Sequence, residues 1–195
     1  MKKMLVSATL AVLMALPAAS ASAEEVEKEV QVSGGSLQVT QTKLQFSDVT
    51  LKVRDQQKSF ASSLTHVIDN RGNGAGYGYS VSATDFETEV TINGQTQKFK
   101  IPASSIRFTT TLKDTITGVP VDFSTNGVLA NNEVLSDTPR TMFKVDPGFG
   151  QGAYDFQVDY VLNLPQKIQS ADGKEIGVMA GTYKAKFTYT ATSGI

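Results

Sequence analysis

The chain has 195 residues, with no cysteine, no tryptophan, 18 basic and 19 acidic side chains, and a formal net charge of −1. This near balance, without a cluster of Lys and Arg, excludes the electrostatic signature of a nucleic-acid-binding protein. The absence of cysteine excludes disulfides and thiolate metal ligands, so burial of apolar side chains must hold any domain together.

The N-terminus has the three parts of a cleaved secretory signal. Lys2 and Lys3 precede an apolar run over 4–17, and a tract of small residues ends at Ala23. The apolar run is shorter than the ~20 residues that a membrane-spanning helix needs. We therefore expect residues 1–23 to be removed, an exported chain that begins at Glu24, and no membrane span.

Beyond the signal, apolar residues alternate with a period of two, which is typical of β-strands with one buried face. The alternation is strict over 154–164 and 183–189. Weaker alternation occurs at 37–39, 77–81, 90–92 and 106–112. The two best strands predict a core that contains Phe156, Tyr160, Leu162, Tyr183 and Phe187.

Turn sequences separate these runs. Asn93-Gly94 is the strongest hairpin signal in the chain. Further turns are marked by Asn126-Gly127, Pro147-Gly148 and Asp172-Gly173. The segment 121–141 has few alternating positions and predicts a long connection or an irregular insert.

Strands without helices, separated by such turns, predict an all-β fold of antiparallel sheets, with a β-sandwich favoured over a barrel. We expect a single domain over 36–195, preceded by a mature N-terminal segment over 24–35. No second domain is needed for a chain of this length.

The stretch that begins at Asp69 has the spacing of part of a helix–loop–helix calcium site. Asp69, Arg71 and Asn73 occupy the first three ligand positions, and Gly74 occupies the turn position. Arg71 cannot bind a cation, and Ser80 stands where the bidentate Glu belongs. We therefore expect no metal, and interpret Asp69 and Arg71 as a polar pair that fixes the turn where a strand begins.

The single histidine, His66, lies beside Val67 and Ile68 in a predicted strand. No nucleophile elbow or triad spacing accompanies it, and the sequence selects no pair of carboxylates for glycoside hydrolysis. We therefore expect a protein that is not an enzyme and that carries no cofactor.

Two segments resemble the WxL domain, a cell-surface module of Gram-positive bacteria that binds the cell wall. The stretch 69–81 (DNRGNGAGYGYSV) resembles the proximal motif of that family, in which Asp, Arg and a Gly-rich turn lead into Trp-x-Leu. The stretch 180–189 (AGTYKAKFTY) resembles its distal motif, and 33–37 (SGGSL) is similar to the usual start of these domains. Together the matches bracket nearly the whole exported chain.

Four positions depart from the family pattern. Tyr77 stands at the signature Trp, Tyr79 at the Leu that follows it, and Tyr189 at the distal Leu. Ser193 stands where the family usually has a Pro. The chain is therefore a divergent WxL-like sequence.

The resemblance implies an extracellular, wall-associated protein held noncovalently, either by peptidoglycan or another wall glycan or by other cell-surface proteins. The ligand-binding residues that it implies are Asp69, Arg71, Tyr77, Tyr79 and Tyr183.

Tyr77 and Tyr79 have two interpretations. They share one face of a strand, and an accessible Tyr ring can stack on the C–H face of a sugar. Alternatively, both rings fill the core behind the glycine-rich turn. Their accessibility decides between these interpretations.

A second class of function is a structural subunit that self-assembles into an extracellular layer or fibre. The acidic stretch 24–29, followed by Val30, Gln31 and Val32, is a candidate donor strand for a neighbouring copy. The same segment is also consistent with a disordered mature terminus.

Overall fold

The computed structural model describes residues 30–52, 57–170 and 173–194. The chain divides into two units, 1–32 and 33–195, and the strands of the described residues belong to the second. The predicted signal and the acidic stretch 24–29 lie outside the described residues. No helix in the described part is long and apolar enough to cross a membrane.

Apart from one short 3-10 turn, Ala103–Ser105, the regular elements of the described residues are β-strands. They are, in chain order, β1 (Leu37–Gln41), β2 (Lys58–Asp69), β3 (Tyr77–Ala83), β4 (Phe86–Ile92), β5 (Gln95–Ile101), β6 (Ile106–Gly118), β7 (Gly127–Leu129), β8 (Glu133–Val134), β9 (Arg140–Val145), β10 (Gly152–Asn163), β11 (Lys167–Gln169), β12 (Glu175–Gly177) and β13 (Phe187–Ser193). The predicted all-β class is confirmed.

Two antiparallel sheets form the domain. The first has the order β1-β2-β10-β6-β8 and the second the order β13-β3-β9-β7, while β4-β5 and β11-β12 form separate two-stranded ribbons. Between the two larger sheets, the rings of Phe143 in β9 and Phe156 in β10 stack with centroids 3.9 Å apart. The architecture is therefore the predicted sandwich, with its core between the two sheets.

The central strands β2 and β10 divide the core between small and large side chains. The large buried residues of β10 are Tyr154, Phe156, Val158, Tyr160 and Leu162. Their partners across the strand pair in β2 are Val67, Thr65, Ser63, Ala61 and Ser59. Because each large residue faces a smaller one, the inner surface of the first sheet is filled without crowding.

The hairpin predicted at Asn93-Gly94 is confirmed, since this pair joins β4 to β5. Both residues have positive φ, 51° and 77°, as a type I′ turn requires. The segment 121–141 is irregular, as predicted, but it also contains two short strands, β7 and β8.

The core prediction is confirmed for Phe156, Tyr160 and Leu162, which are all buried. Tyr183 and Phe187 are only half-buried and pack against that core. The reason is that β13 begins at Phe187 and lies at the edge of its sheet, where one side of the strand has no neighbour among the described residues.

Candidate functional site

The proximal segment contains a clamp made by Asp69 and Arg71. Asp69 ends β2, and the Nε and Nη2 groups of Arg71 donate hydrogen bonds of 2.9 and 2.8 Å to its two carboxylate oxygens. Nη2 also donates to the carbonyl of Gly76 (2.7 Å), and Nη1 donates to the hydroxyl of Ser193. The pair thus fixes the turn before β3, as predicted, and also connects this turn to the end of β13.

Burial and charge act in opposite directions on this clamp. Burial of the Asp69 carboxylate raises its pKa, but the hydrogen bonds and positive charge of Arg71 outweigh that effect and leave the pKa below its usual range. The side chains of Asp69 and Arg71 are only 5% and 10% exposed. The polar groups of the two side chains therefore hydrogen-bond to each other and to the backbone of the turn.

The rings of Tyr77 and Tyr79 lie in the core, with exposures of only 1% and 7%. Tyr77 meets Phe143 edge to face, and a Cβ added to Gly150 would lie 2.8 Å from its ring. Burial raises the pKa of Tyr77 above its usual range and that of Tyr79 to about 12. A ring enclosed in this way cannot stack on a sugar, so of the two interpretations of Tyr77 and Tyr79 the structure supports the one in which both rings fill the core.

A chain of hydrogen bonds connects the buried hydroxyl of Tyr79 to the first sheet. The Tyr79 hydroxyl donates to Gln41 Oε1 (3.1 Å), and Gln41 Nε2 donates to the hydroxyl of Ser63 (3.0 Å). Through these contacts β3 is joined to β1 and β2. Stacking on a sugar would require this hydroxyl to face outward. Instead, its hydrogen bonds connect the two sheets.

The proximal and distal segments meet in one sheet. β13 pairs antiparallel with β3 over its whole length, from Phe187 opposite Ala83 to Ser193 opposite Tyr77. This pairing brings together two segments that are about a hundred residues apart in sequence.

Tyr183 lies away from the other predicted site residues. It precedes β13, whereas Tyr77 lies opposite the last residue of that strand, so the two tyrosines stand at opposite ends of the strand pair. The Tyr183 hydroxyl donates to the carbonyl of Met179 (3.0 Å), and its ring lines a cavity of about 550 Å³ with Phe46. The five predicted residues therefore do not form one surface.

The two motif segments run into β3 and β13, and these paired strands share an outer face. The pairing places Thr188 beside Ser82 and Thr190 beside Ser80, with Thr192 completing the row. The three threonines are exposed and the two serines half-exposed. We call these five side chains the hydroxyl face; none of them is charged or aromatic.

The alternation of apolar residues predicts the core and does not reveal the hydroxyl face. The signal was present in the positions between them, where Thr188, Thr190 and Thr192 alternate with the inward residues of β13. A strand with apolar residues on one face and threonines on the other presents hydroxyl and methyl groups to its surroundings.

The outer face of the first sheet carries a different set of polar groups. His66 Nδ1 lies 2.7 Å from Asp155 Oδ1, and Ser62 donates to Asp159 Oδ1 at 2.7 Å. Within the described residues, Asp155 is the side chain that hydrogen-bonds to His66, and no group of three acidic or histidine side chains could hold a metal ion. This face offers hydrogen-bonded pairs of polar side chains on an open sheet rather than an enclosed reaction site.

Comparison with known proteins assigns no family to this chain. No family model matches it, and neither a curated protein nor a solved structure does. The resemblance to WxL domains therefore depends on the residues of the two motif segments.

Proposed function

We propose that this chain is an exported, non-enzymatic domain of the Gram-positive cell surface, related to WxL domains, that takes part in a surface protein complex. It is held at the wall noncovalently, by contact with another surface protein. The observation that carries the proposal is the pairing of β3 with β13. That pairing creates the hydroxyl face, to which the proximal segment contributes Ser80 and the distal segment contributes Thr188.

The chemistry of the hydroxyl face supports contact with protein over stacking on a wall glycan. Stacking needs an accessible aromatic ring, and Tyr77 and Tyr79 are buried. Of the described residues, the exposed phenylalanines are Phe60 and Phe149, and neither lies in β3 or β13.

A flat surface of threonine and serine suits a protein partner for two reasons. Uncharged side chains lose less hydration energy on contact than charged ones do. Each threonine also offers a methyl group for packing and a hydroxyl that can donate or accept a hydrogen bond. Hydrogen bonds around a packed centre are typical of protein interfaces.

Sedimentation with cell envelopes tests the proposal. Purified protein is mixed with native envelopes, with the same envelopes after protease treatment, and with purified sacculi, and a Trp-bearing WxL domain serves as a parallel control. We expect the protein to pellet with native envelopes and to stay in solution with the other two. Equal binding to sacculi would identify a glycan ligand instead, and failure to pellet with any of the three would refute surface attachment.

A further inference from the structure

The edge strand β13 has backbone groups without a partner strand. It is the outermost strand of the second sheet, and in the described part of the chain no strand pairs with its other side. Thr84 N donates to Lys186 O (3.1 Å) just before β13, so every second residue from Lys186 onward turns its backbone groups toward β3. The N–H and C=O groups of Tyr189 and Ala191 therefore point toward the free edge.

This edge lacks the features that usually prevent strands from pairing with other molecules. Edge strands are commonly short, bulged, or protected by Lys or Pro. β13 has seven residues, FTYTATS, with no charge and no proline, and it keeps an unbroken register with β3. The other edge strands of the two larger sheets, β1, β7 and β8, have five, three and two residues in the described structure.

The sequence of β13 is complementary to itself when a second copy runs antiparallel to it. If Thr190 faces Thr190, then Thr188 faces Thr192 and Tyr189 faces Ala191. Cross-strand pairs of threonine stabilise a sheet, and a Tyr opposite an Ala repeats the large-with-small arrangement of β10 and β2.

The backbone direction fits the same register. Tyr189 and Ala191 expose their N–H and C=O groups at the free edge, so each can exchange hydrogen bonds with the other residue of the second copy. Thr190 then occupies a non-hydrogen-bonded pair, in which side chains lie closest together. One register therefore satisfies both the side chains and the backbone.

From these observations we infer that two copies of the protein pair through β13, antiparallel and centred on Thr190. The second sheet then continues from one copy into the other. Pairing of copies does not depend on the proposed envelope binding. It places the hydroxyl faces of both copies on the same side of the joint sheet.

A single introduced cysteine tests the register, because the chain has no cysteine of its own. In a non-hydrogen-bonded pair the Cα atoms are about 4.5 Å apart, within disulfide range. Thr190→Cys should therefore form a covalent dimer under mild oxidation. Thr188→Cys is the matched control on the same face of the same strand, since two copies of Thr188 would lie about 13 Å apart, too far for a disulfide.

Charge exchange at the same position provides an independent measurement. Sedimentation velocity of the unmodified protein should show dimers that increase with concentration, whereas Thr190→Lys and Thr190→Glu should each remain monomeric. Mixing these two variants should restore a dimer, because opposite charges then face each other across the axis. Monomers of the unmodified protein at every concentration, or equal cross-linking of Thr188→Cys and Thr190→Cys, would overturn the inference.

Discussion

The rings of Tyr79 and Tyr189 stack with centroids 5.9 Å apart and planes inclined by 12°. One ring belongs to the proximal segment and the other to the distal segment, and both lie on the inner side of β3 and β13. Contact between the two segments is therefore made by their aromatic residues, while their hydroxyl-bearing residues face outward. This division assigns the tyrosines to stability and places the hydroxyl groups on the exposed outer face.

Tyr77 should be a core residue in solution. Its ring is almost fully buried, so Tyr77→Ala should lower the free energy of unfolding by roughly 3–5 kcal/mol. Tyr77→Phe should be neutral or slightly stabilising, since among the described residues the buried hydroxyl has no hydrogen-bond partner. Urea unfolding measures both changes. If Tyr77→Ala left the free energy of unfolding unchanged, the ring would have to be accessible.

The clamp of Asp69 and Arg71 should make stability depend on pH in the acid range. Asp69→Asn leaves the buried Arg71 without its ionic partner and should cost roughly 3 kcal/mol near neutral pH. The pKa of Asp69 lies below the unfolded value of 3.8, so the unfolded chain takes up the proton first as the pH falls. The stabilisation is thus complete above that value and lost as the pH falls through the native pKa.

Unfolding midpoints of the two proteins across the acid range check this prediction. The difference in unfolding midpoint between the unmodified protein and Asp69→Asn should be largest near neutral pH and should disappear in strong acid. A gap that stays constant with pH would contradict an ionic role for Asp69. Arg71→Lys is a second variant and should also lose the clamp, because lysine lacks the planar fork that binds both carboxylate oxygens.

Alkaline solution should unfold the domain cooperatively. Burial raises the pKa of Tyr79 to about 12, against 10.0 for the unfolded chain. The native state therefore keeps its proton longer, so stability is complete below pH 10.0 and falls as the pH rises toward 12. Phenolate absorbance and circular dichroism should change together. Early phenolate formation by Tyr79 in an intact fold, absent in Tyr79→Phe, would contradict its burial.

Phe156 and Phe60 form a matched pair on adjacent strands of the first sheet. Phe156 is fully buried, whereas Phe60 is 56% exposed on the opposite face. Phe156→Ala should cost roughly 3–5 kcal/mol, and Phe60→Ala should change stability by no more than about 0.5 kcal/mol. Phe187→Ala, at a half-buried position, should cause an intermediate loss of stability. Equal losses at Phe156 and Phe60 would mean that the inner and outer faces are assigned incorrectly.

The fold could be predicted where large apolar residues alternate. β10 was evident from its aromatic and aliphatic residues, and the Asn93-Gly94 hairpin from the positive φ that its turn requires. The sequence indicates β2 only near His66, because the inner positions of this strand are small or polar, such as Ser59, Ser63 and Thr65. Their burial depends on the large residues of β10 opposite them, which the local sequence of β2 does not reveal.

The candidate site was predictable only in part. The shared face of Tyr77 and Tyr79 followed from their spacing, but which side of the sheet faces the core depends on β10 and the rest of the first sheet. The separation of Tyr183 from the other site residues also depends on tertiary structure. The alternation continues from Tyr183 into β13, yet the chain joins β4 through an isolated bridge between Lys184 and Glu87 before β13 begins.

Envelope binding by a pair of matched surface variants tests the role of the hydroxyl face most directly. Ser82→Arg places a long charged side chain on that face, and Thr111→Arg places the same side chain on the outer face of β6. We expect Ser82→Arg to bind native envelopes at least about tenfold more weakly, a loss of about 1.4 kcal/mol, with an unchanged unfolding midpoint. Thr111→Arg should bind as the unmodified protein does. Undiminished binding by folded Ser82→Arg would contradict the assignment of the hydroxyl face as the contact surface.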